Sequence, residues 1–283
     1  MMRATAYGLA AMAAAVLSWT AAVRAEDGYG DLVGEFVLEG EIPKPTLFHK
    51  AGAATVKDAA ICAAEDTYDN EVVVDPKSKG IANIFVYMTS VEFKKIKDKM
   101  HPDLAASKEK ELVLDQKGCM FFPHVMLVRL DQTVRVKSMD ATAHNTHSYP
   151  ISNDPENFTI AANDRKGNTF QKFEKAERVP IPVKCDIHGW MVSHWLILDH
   201  PYAAVTDKNG KFTIPKLPAG EHTLRLWHER QGYIKFVKPG EVFVGETDPN
   251  IKTTDLKVKI ESGKSTDVGK IKIPVAKLAK KAS

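Results

Sequence analysis

Short runs of alternating apolar and polar residues dominate the chain and predict β-strands. Side chains at every second position face the same side of a strand, so such runs suit a sheet that is buried on one face. The predicted strands are 31–40, 71–75, 81–88, 111–115, 125–130, 133–138, 170–173, 178–184, 192–199, 203–206, 211–214, 221–228, 256–260 and 268–273. Many short strands joined by turns, without long helical periodicity, predict an all-β protein built from sandwiches or barrels.

The first 25 residues have the features of a secretory signal peptide. Arg3 supplies a positive start, residues 4–23 carry no charge, and the small-residue site VRA at 23–25 is suited to cleavage. An uncleaved anchor is the alternative, because about 20 apolar residues can span a bilayer. We expect an exported protein, periplasmic or secreted, with no membrane span after the leader is removed.

Composition excludes several classes of protein. Charged residues make up 27% of the 283 residues and hydrophobic residues 44%, which excludes collagen, wholesale disorder and a multi-span membrane protein. The net charge of +3 gives no reason to expect nucleic acid as a partner. The three cysteines are an odd number for an oxidising compartment. One of them must therefore be free, intermolecular or bound to a ligand.

The seven residues CDIHGWM, between two predicted strands, carry the most distinctive chemistry of the chain. They place a thiolate (Cys185), an imidazole (His188) and a thioether (Met191) on one loop, while His144 lies on an upstream loop. His147 competes with His144 as the second imidazole, and we favour His144. Two imidazoles, one thiolate and a weak thioether are the ligands of a blue-copper site. Zinc is the main rival metal, but it does not use Met and usually takes a fourth N, S or O donor.

Residues 110–200 resemble cupredoxins. Phe122-Pro123, the strand and turn that follow, and the His144 loop resemble the cupredoxin order of elements, and the C-x-x-H-x-x-M spacing is similar to that of amicyanin. More closely, the chain resembles periplasmic methylamine-utilisation-type cupredoxin-like proteins, in which such a loop leads into a DHPYAAVTD segment, here residues 199–207. The trailing part resembles a carboxypeptidase-regulatory-like β-sandwich.

The resemblance implies a Greek-key cupredoxin β-sandwich, a smaller C-terminal β-sandwich and an N-terminal flanking β region. The implied segments are a signal peptide (1–25), a β-rich segment that flanks or completes the cupredoxin sheet (26–109), the cupredoxin domain (110–200), the C-terminal sandwich (201–274) and a basic tail (275–283).

The function implied is electron transfer through one type 1 copper centre, not enzymatic catalysis. His144, Cys185 and His188 would be the equatorial ligands and Met191 the axial ligand. We expect the edge of His188 to lie near the surface as the electron port, with Trp190 on an apolar docking rim. The implied partners are periplasmic redox proteins, either a dehydrogenase or a c-type cytochrome.

Other hypotheses stay open. An enzyme, such as a polysaccharide lyase that shares the regulatory-like β-sandwich, would need an acid/base pair that the sequence does not show. The chain could bind copper for storage or delivery, or it could be a metal-free β-sandwich that binds carbohydrate or protein. If Cys185 is a ligand, Cys62 and Cys119 are the natural disulfide pair, and two unrelated free thiols are the alternative.

Overall fold

The computed structural model describes residues 28–170, 172–234 and 255–278. The strands are β1 (Tyr29–Glu39), β2 (Leu47–His49), β3 (Thr67–Tyr68), β4 (Phe85–Met88), β5 (Glu111–Lys117), β6 (Met120–Phe122), β7 (Val125–Arg129), β8 (Thr133–Ser138), β9 (His144–Ser148), β10 (Asn157–Ile160), β11 (Asn168–Phe170), β12 (Ile181–Lys184), β13 (Val192–Leu198), β14 (Ala203–Val205), β15 (Lys211–Pro218), β16 (Gly220–His228), β17 (Gly232–Tyr233), β18 (Asp255–Ile260) and β19 (Ser265–Pro274). The helices are α1 (Ala59–Cys62), α2 (Ser90–Lys94) and α3 (Val275–Leu278), with 3-10 turns at Lys97–Lys99 and Pro102–Leu104. The predicted all-β sandwich class is confirmed.

The first sandwich contains the middle of the chain. One sheet has the strand order β10-β9-β12-β13-β7 and the other has the order β11-β8-β5-β6. In β8 the inward positions Val134, Val136 and Ser138 are buried while their neighbours are half-exposed, as the alternation predicts. Val134 and Val136 share one apolar core with Trp195 and Ile197 from the opposite sheet. Two sheets that are each buried on one face therefore enclose this core.

The second sandwich combines strands from the two ends of the chain. One sheet has the order β15-β1-β19, and the other has the order β14-β4-β16-β17 with β18 on β16. Leu32 and Phe36 of β1 and Ile271 of β19 pack in one core with Val86 and Leu224 of the other sheet. Burying this core requires both ends of the chain.

Strands β1 and β4 of the N-terminal segment pair within the second sandwich. We expect residues 26–109 to flank or complete the cupredoxin sheet, and because β1 forms its ladders with β15 and β19, and β4 with β14 and β16, these two strands do not complete the sheets of the first sandwich. The physical reason is that alternation fixes which face of a strand is buried, whereas the partner strand is chosen by packing between segments far apart in sequence. The exact limits of the five segments stay predictions.

Residues 47–68, which we call the covering segment, pack instead against the first sandwich. This segment contains β2, α1 and β3. Cys62 lies in the core of the first sandwich, with Val56 and Ile61 packed against that core. A disulfide joins Cys62 to Cys119, between β5 and β6. The covering segment is thereby tied to the sandwich that carries the candidate metal ligands.

A small apolar cluster connects the two sandwiches. Phe85 and Tyr87 of β4 pack against Val125, Leu196 and Leu198 of the first sandwich. The predicted leader, 1–25, lies outside the described residues, as does the end of the predicted basic tail beyond residue 278. Among the helices of the described ranges, none combines the length and apolar character needed to cross a membrane.

Candidate metal centre

The Cys185–Met191 loop is closed on itself at the end of β12. The backbone amide of Cys185 donates to the carbonyl of Met191 at 3.2 Å, and the amide of Met191 donates to the carbonyl of His188 at 2.9 Å. The next strand, β13, pairs antiparallel with β12, so the loop connects neighbouring strands. This closure brings the thiol, imidazole and thioether residues to one end of the sheet.

His144 reaches the loop because β9 lies beside β12 in the same sheet. The three donor atoms of His144, Cys185 and His188 lie within 4.8 Å of one another. The Nδ1 atoms of the two histidines are 3.0 Å apart, and Cys185 Sγ lies 3.7 Å from His188 Nδ1. All three side chains are at most 1% exposed, and Met191 is fully buried in the same core.

Both histidines are held at their outer nitrogens by carboxylates. His144 Nε2 lies 2.8 Å from Asp140 Oδ2, and His188 Nε2 lies 2.9 Å from Asp58 Oδ2. Asp140 also accepts the backbone amides of Gly118 and Cys119 at 2.6 and 2.9 Å, which fixes its own position. A carboxylate on one ring nitrogen orients the ring and leaves the other nitrogen to bind a metal. The arrangement therefore leaves both Nδ1 atoms facing Cys185.

The electrostatics favour a thiolate at Cys185. Burial opposes its ionisation, but hydrogen bonds with His144 and His188 outweigh burial and lower the pKa of Cys185 to about 6. Burial likewise opposes the charged form of His144, whereas its contacts with Asp140 and Cys185 raise its pKa to about 9. The two shifts favour the thiolate form of Cys185 and the protonated form of His144, and binding of a metal ion through His144 would require loss of one ring proton.

His188 differs from the expected electron port. Its ring is fully buried, and Asp58 of the covering segment lies on its outer nitrogen. The rings of His188 and Trp190 are 5.4 Å apart. A histidine on a short ligand loop is exposed only when no other segment packs over the loop. Here the covering segment packs over the ring of His188, with Asp58, 130 positions upstream, on its Nε2 atom. The expectation of an exposed His188 edge is therefore wrong.

His147, the competing imidazole, points away from the centre. Its Nδ1 lies 3.0 Å from Asp186 Oδ2, its ring lies against Tyr149 at 4.2 Å, and a quarter of its side chain is exposed. Successive residues of a strand face opposite sides, and the odd separation from His144 puts the two rings on opposite faces.

Trp190 is half-buried and held from two sides. Its Nε1 donates to the carbonyl of Cys119 at 3.1 Å, and the ring of His49 meets it edge-on at 4.1 Å. Its indole is therefore packed between the disulfide region and the covering segment. Its role in docking a partner stays a prediction.

Two polar residues, Asn145 and Asp58, support the ligand loop, and the sequence alone did not indicate this role for either of them. Asn145 Oδ1 accepts the amides of Asp186 and Ile187 at 2.6 and 3.3 Å, and its Nδ2 donates to Asp186 Oδ2 at 2.7 Å. Asp58 holds His188 from a distant segment. Asn145 could have been found from its place beside His144, whereas no local pattern marks Asp58.

No protein-family model and no curated protein matches this sequence. Among solved structures, a copper-containing nitrite reductase from Thermus scotoductus is 18% identical, covering 33% of this chain and 23% of its own, with a TM-score of 0.26. A purple cupredoxin from Nitrosopumilus maritimus is 16% identical, and the match covers 32% of this chain and 100% of that protein, with a TM-score of 0.25. An oxidised amicyanin mutant is 17% identical, and the match covers 34% of this chain and 89% of the amicyanin, with a TM-score of 0.26. The chain is thus similar to cupredoxins over about a third of its length, with low TM-scores, and spans less than a quarter of the nitrite reductase.

Proposed function

We propose that this protein is an exported type 1 copper protein that carries single electrons between redox partners. The observation that carries the proposal is the convergence of His144 Nδ1, Cys185 Sγ and His188 Nδ1 in a buried site. One thiolate and two imidazoles, with a buried thioether on the same loop, make up the ligand set of blue-copper electron-transfer sites.

The donor set fits copper better than zinc. Zinc would need a fourth N, S or O donor beside the thiolate and the two imidazoles. The neighbouring carboxylates of Asp58 and Asp140 contact the Nε2 atoms, on the opposite side of each ring from Cys185. Cys119, which also lies near His188, is used in the disulfide. The remaining donor on the loop is Met191, which a copper thiolate site can accept as a weak axial ligand.

The residues of the chain prepare this site before a metal binds. Asp140 and Asp58 orient the two rings, Cys185 holds the thiolate charge, and burial of all ligand side chains keeps water out. When bound, copper would supply a one-electron couple between Cu(II) and Cu(I). A site whose ligands are fixed by packing and outer hydrogen bonds changes little between two oxidation states.

Burial of the ligands also supports an electron carrier over an enzyme or a copper-delivery protein. His144, Cys185 and His188 leave almost no surface through which a substrate could reach the metal, so an enzymatic role lacks an open position. A delivery protein would need to release copper readily, which a covered site opposes. The disulfide between Cys62 and Cys119 suits an oxidising, extracytoplasmic compartment. The expected partners are a periplasmic dehydrogenase or c-type cytochrome, as the resemblance to cupredoxins implies.

The experiment is a visible and EPR titration of the mature protein with Cu(II). We expect an intense thiolate-to-copper band with narrow copper hyperfine splitting, lost in Cys185→Ala and His144→Ala. His147→Ala is the matched control, because it removes a histidine from the same strand without touching the centre. A thiol at Cys185 that still reacts freely after copper is added would contradict the proposal.

A further inference from the structure

A second group of metal-ligating side chains lies away from the Cys185 loop. His124 precedes β7, His194 lies in β13, and Glu229 follows β16. One ligand atom from each of the three lies within 4.8 Å of the other two. His124 Nε2 contacts Glu229 Oε2, and His194 Nδ1 lies 3.6 Å from the same oxygen. Ligands about 2 Å from a zinc ion in tetrahedral geometry are about 3.3 Å apart, so small shifts would accommodate an ion.

The cluster is enclosed and leaves nitrogen atoms without partners. The side chain of His124 is 8% exposed, and those of His194 and Glu229 are each 13% exposed. In the described part of the chain, His194 Nδ1 is buried and makes no hydrogen bond, although it faces Glu229. Buried polar atoms without a partner are uncommon and cost stability. A cation between these groups would satisfy the imidazole and neutralise the carboxylate.

The backbone fixes the geometry of the cluster from both sandwiches. The amide of His194 donates to the carbonyl of His124 at 2.9 Å, and β13 runs parallel to β7 beside it. Glu229 belongs to the second sandwich, because it follows the strand that pairs with β4 and β18. The three side chains therefore meet at the junction between the two sandwiches, beside the apolar cluster that contains Val125 and Leu196.

We propose that His124, His194 and Glu229 form a second metal site, which binds a divalent first-row transition metal such as Zn²⁺ and links the two sandwiches. Two imidazoles and one carboxylate, without a thiolate, suit zinc-type ions with a fourth position left for water. The residual exposure of His194 and Glu229 provides access for that water. The site is independent of Cys185 and so does not rest on the copper proposal.

The test uses Zn²⁺ as the probe and the full exported chain carrying Cys185→Ala, which removes the thiolate of the other centre. Calorimetric titration should show one equivalent of Zn²⁺ bound, with affinity at least 100-fold lower in the additional variants His194→Ala and Glu229→Gln. His222→Gln is the matched control, because His222 is a buried histidine of the second sandwich outside the cluster. Its affinity for Zn²⁺ should equal that of the Cys185→Ala protein.

A second measurement does not depend on whether the variants of the cluster fold. Zn²⁺ should raise the thermal unfolding temperature of the Cys185→Ala protein, because an ion bound only by the folded state stabilises it. Absence of binding and of this rise, or binding that persists with full affinity in Glu229→Gln, would overturn the second site. The thiolate-to-copper band of the wild-type protein should be unchanged in Glu229→Gln, so failure of one site is distinguishable from failure of the other.

Discussion

His188 Nε2 lies 2.9 Å from Asp58 Oδ2, although the two residues are 130 positions apart in the chain. The contact places a carboxylate of the covering segment on the outer face of a candidate metal ligand. The hydrogen bond with His188 is the main reason that the pKa of Asp58 is lowered, so the carboxylate is charged near neutral pH. The covering segment is therefore part of the site and not only an N-terminal addition.

Removing this carboxylate should weaken copper binding. We expect Asp58→Ala to lower copper affinity by about 10- to 100-fold, the usual effect of losing an outer partner of a ligating histidine. Competition with a copper chelator measures the change. Asp66→Asn is the control, since Asp66 lies in the same segment but accepts a hydrogen bond from the backbone amide of Ala51 and not from His188. Equal affinities in the wild-type protein and Asp58→Ala would show that the contact does not support the site.

The disulfide should stabilise the first sandwich and keep His188 covered. The double variant Cys62→Ser/Cys119→Ser opens a loop between cysteines 57 positions apart, which costs about 4 kcal/mol in the chain-entropy model. Denaturant unfolding of the metal-free protein measures the loss. Hydrogen exchange should rise in residues 47–68, and unchanged protection there would contradict the role given to the disulfide.

Asn145 should hold the ligand loop in place. In Asn145→Ala the amides of Asp186 and Ile187 lose their common acceptor, with an expected cost of roughly 2 kcal/mol. Urea denaturation measures this loss in the free energy of unfolding. Asn157→Ala removes one outer partner of the Asn145 amide and should cost less than 0.5 kcal/mol, on the order of an ordinary surface change. Similar losses in both variants would mean that the loop does not depend on Asn145.

Acid should destabilise the second sandwich through His200. Burial lowers the pKa of His200 to about 4, while the unfolded chain has its ordinary value near 6.5. Between these values the unfolded state binds the extra proton, so the free energy of unfolding decreases as pH falls from about 6.5 to 4. The decrease from this group is at most roughly 3 kcal/mol. Urea denaturation at pH 7, 5 and 4 tests this, and His200→Gln should show a smaller decrease. An equal decrease in both proteins would mean that His200 is not the cause of the acid sensitivity.

Local pattern predicted the fold class and the loop that carries three of the four candidate ligands, because both depend on short spacings, whereas His144 joins them through the pairing of β9 with β12. Cys185, His188 and Met191 lie on one loop, and their spacing alone places three donors together. The position of Asp58 over His188 follows from packing between distant segments, and no periodicity encodes it. For the same reason, the sequence pattern did not predict the pairing of β1 with β19 or the contact of Glu229 with His194 at the junction of the sandwiches.

X-ray absorption of the mature protein loaded with one equivalent of copper would show directly whether Cys185 binds the metal. We expect a copper centre with one short bond to sulfur and two bonds to imidazole nitrogen, and loss of the short sulfur bond in Cys185→Ala. A copper centre that is bound only by nitrogen and oxygen in the wild-type protein would contradict the proposed thiolate site.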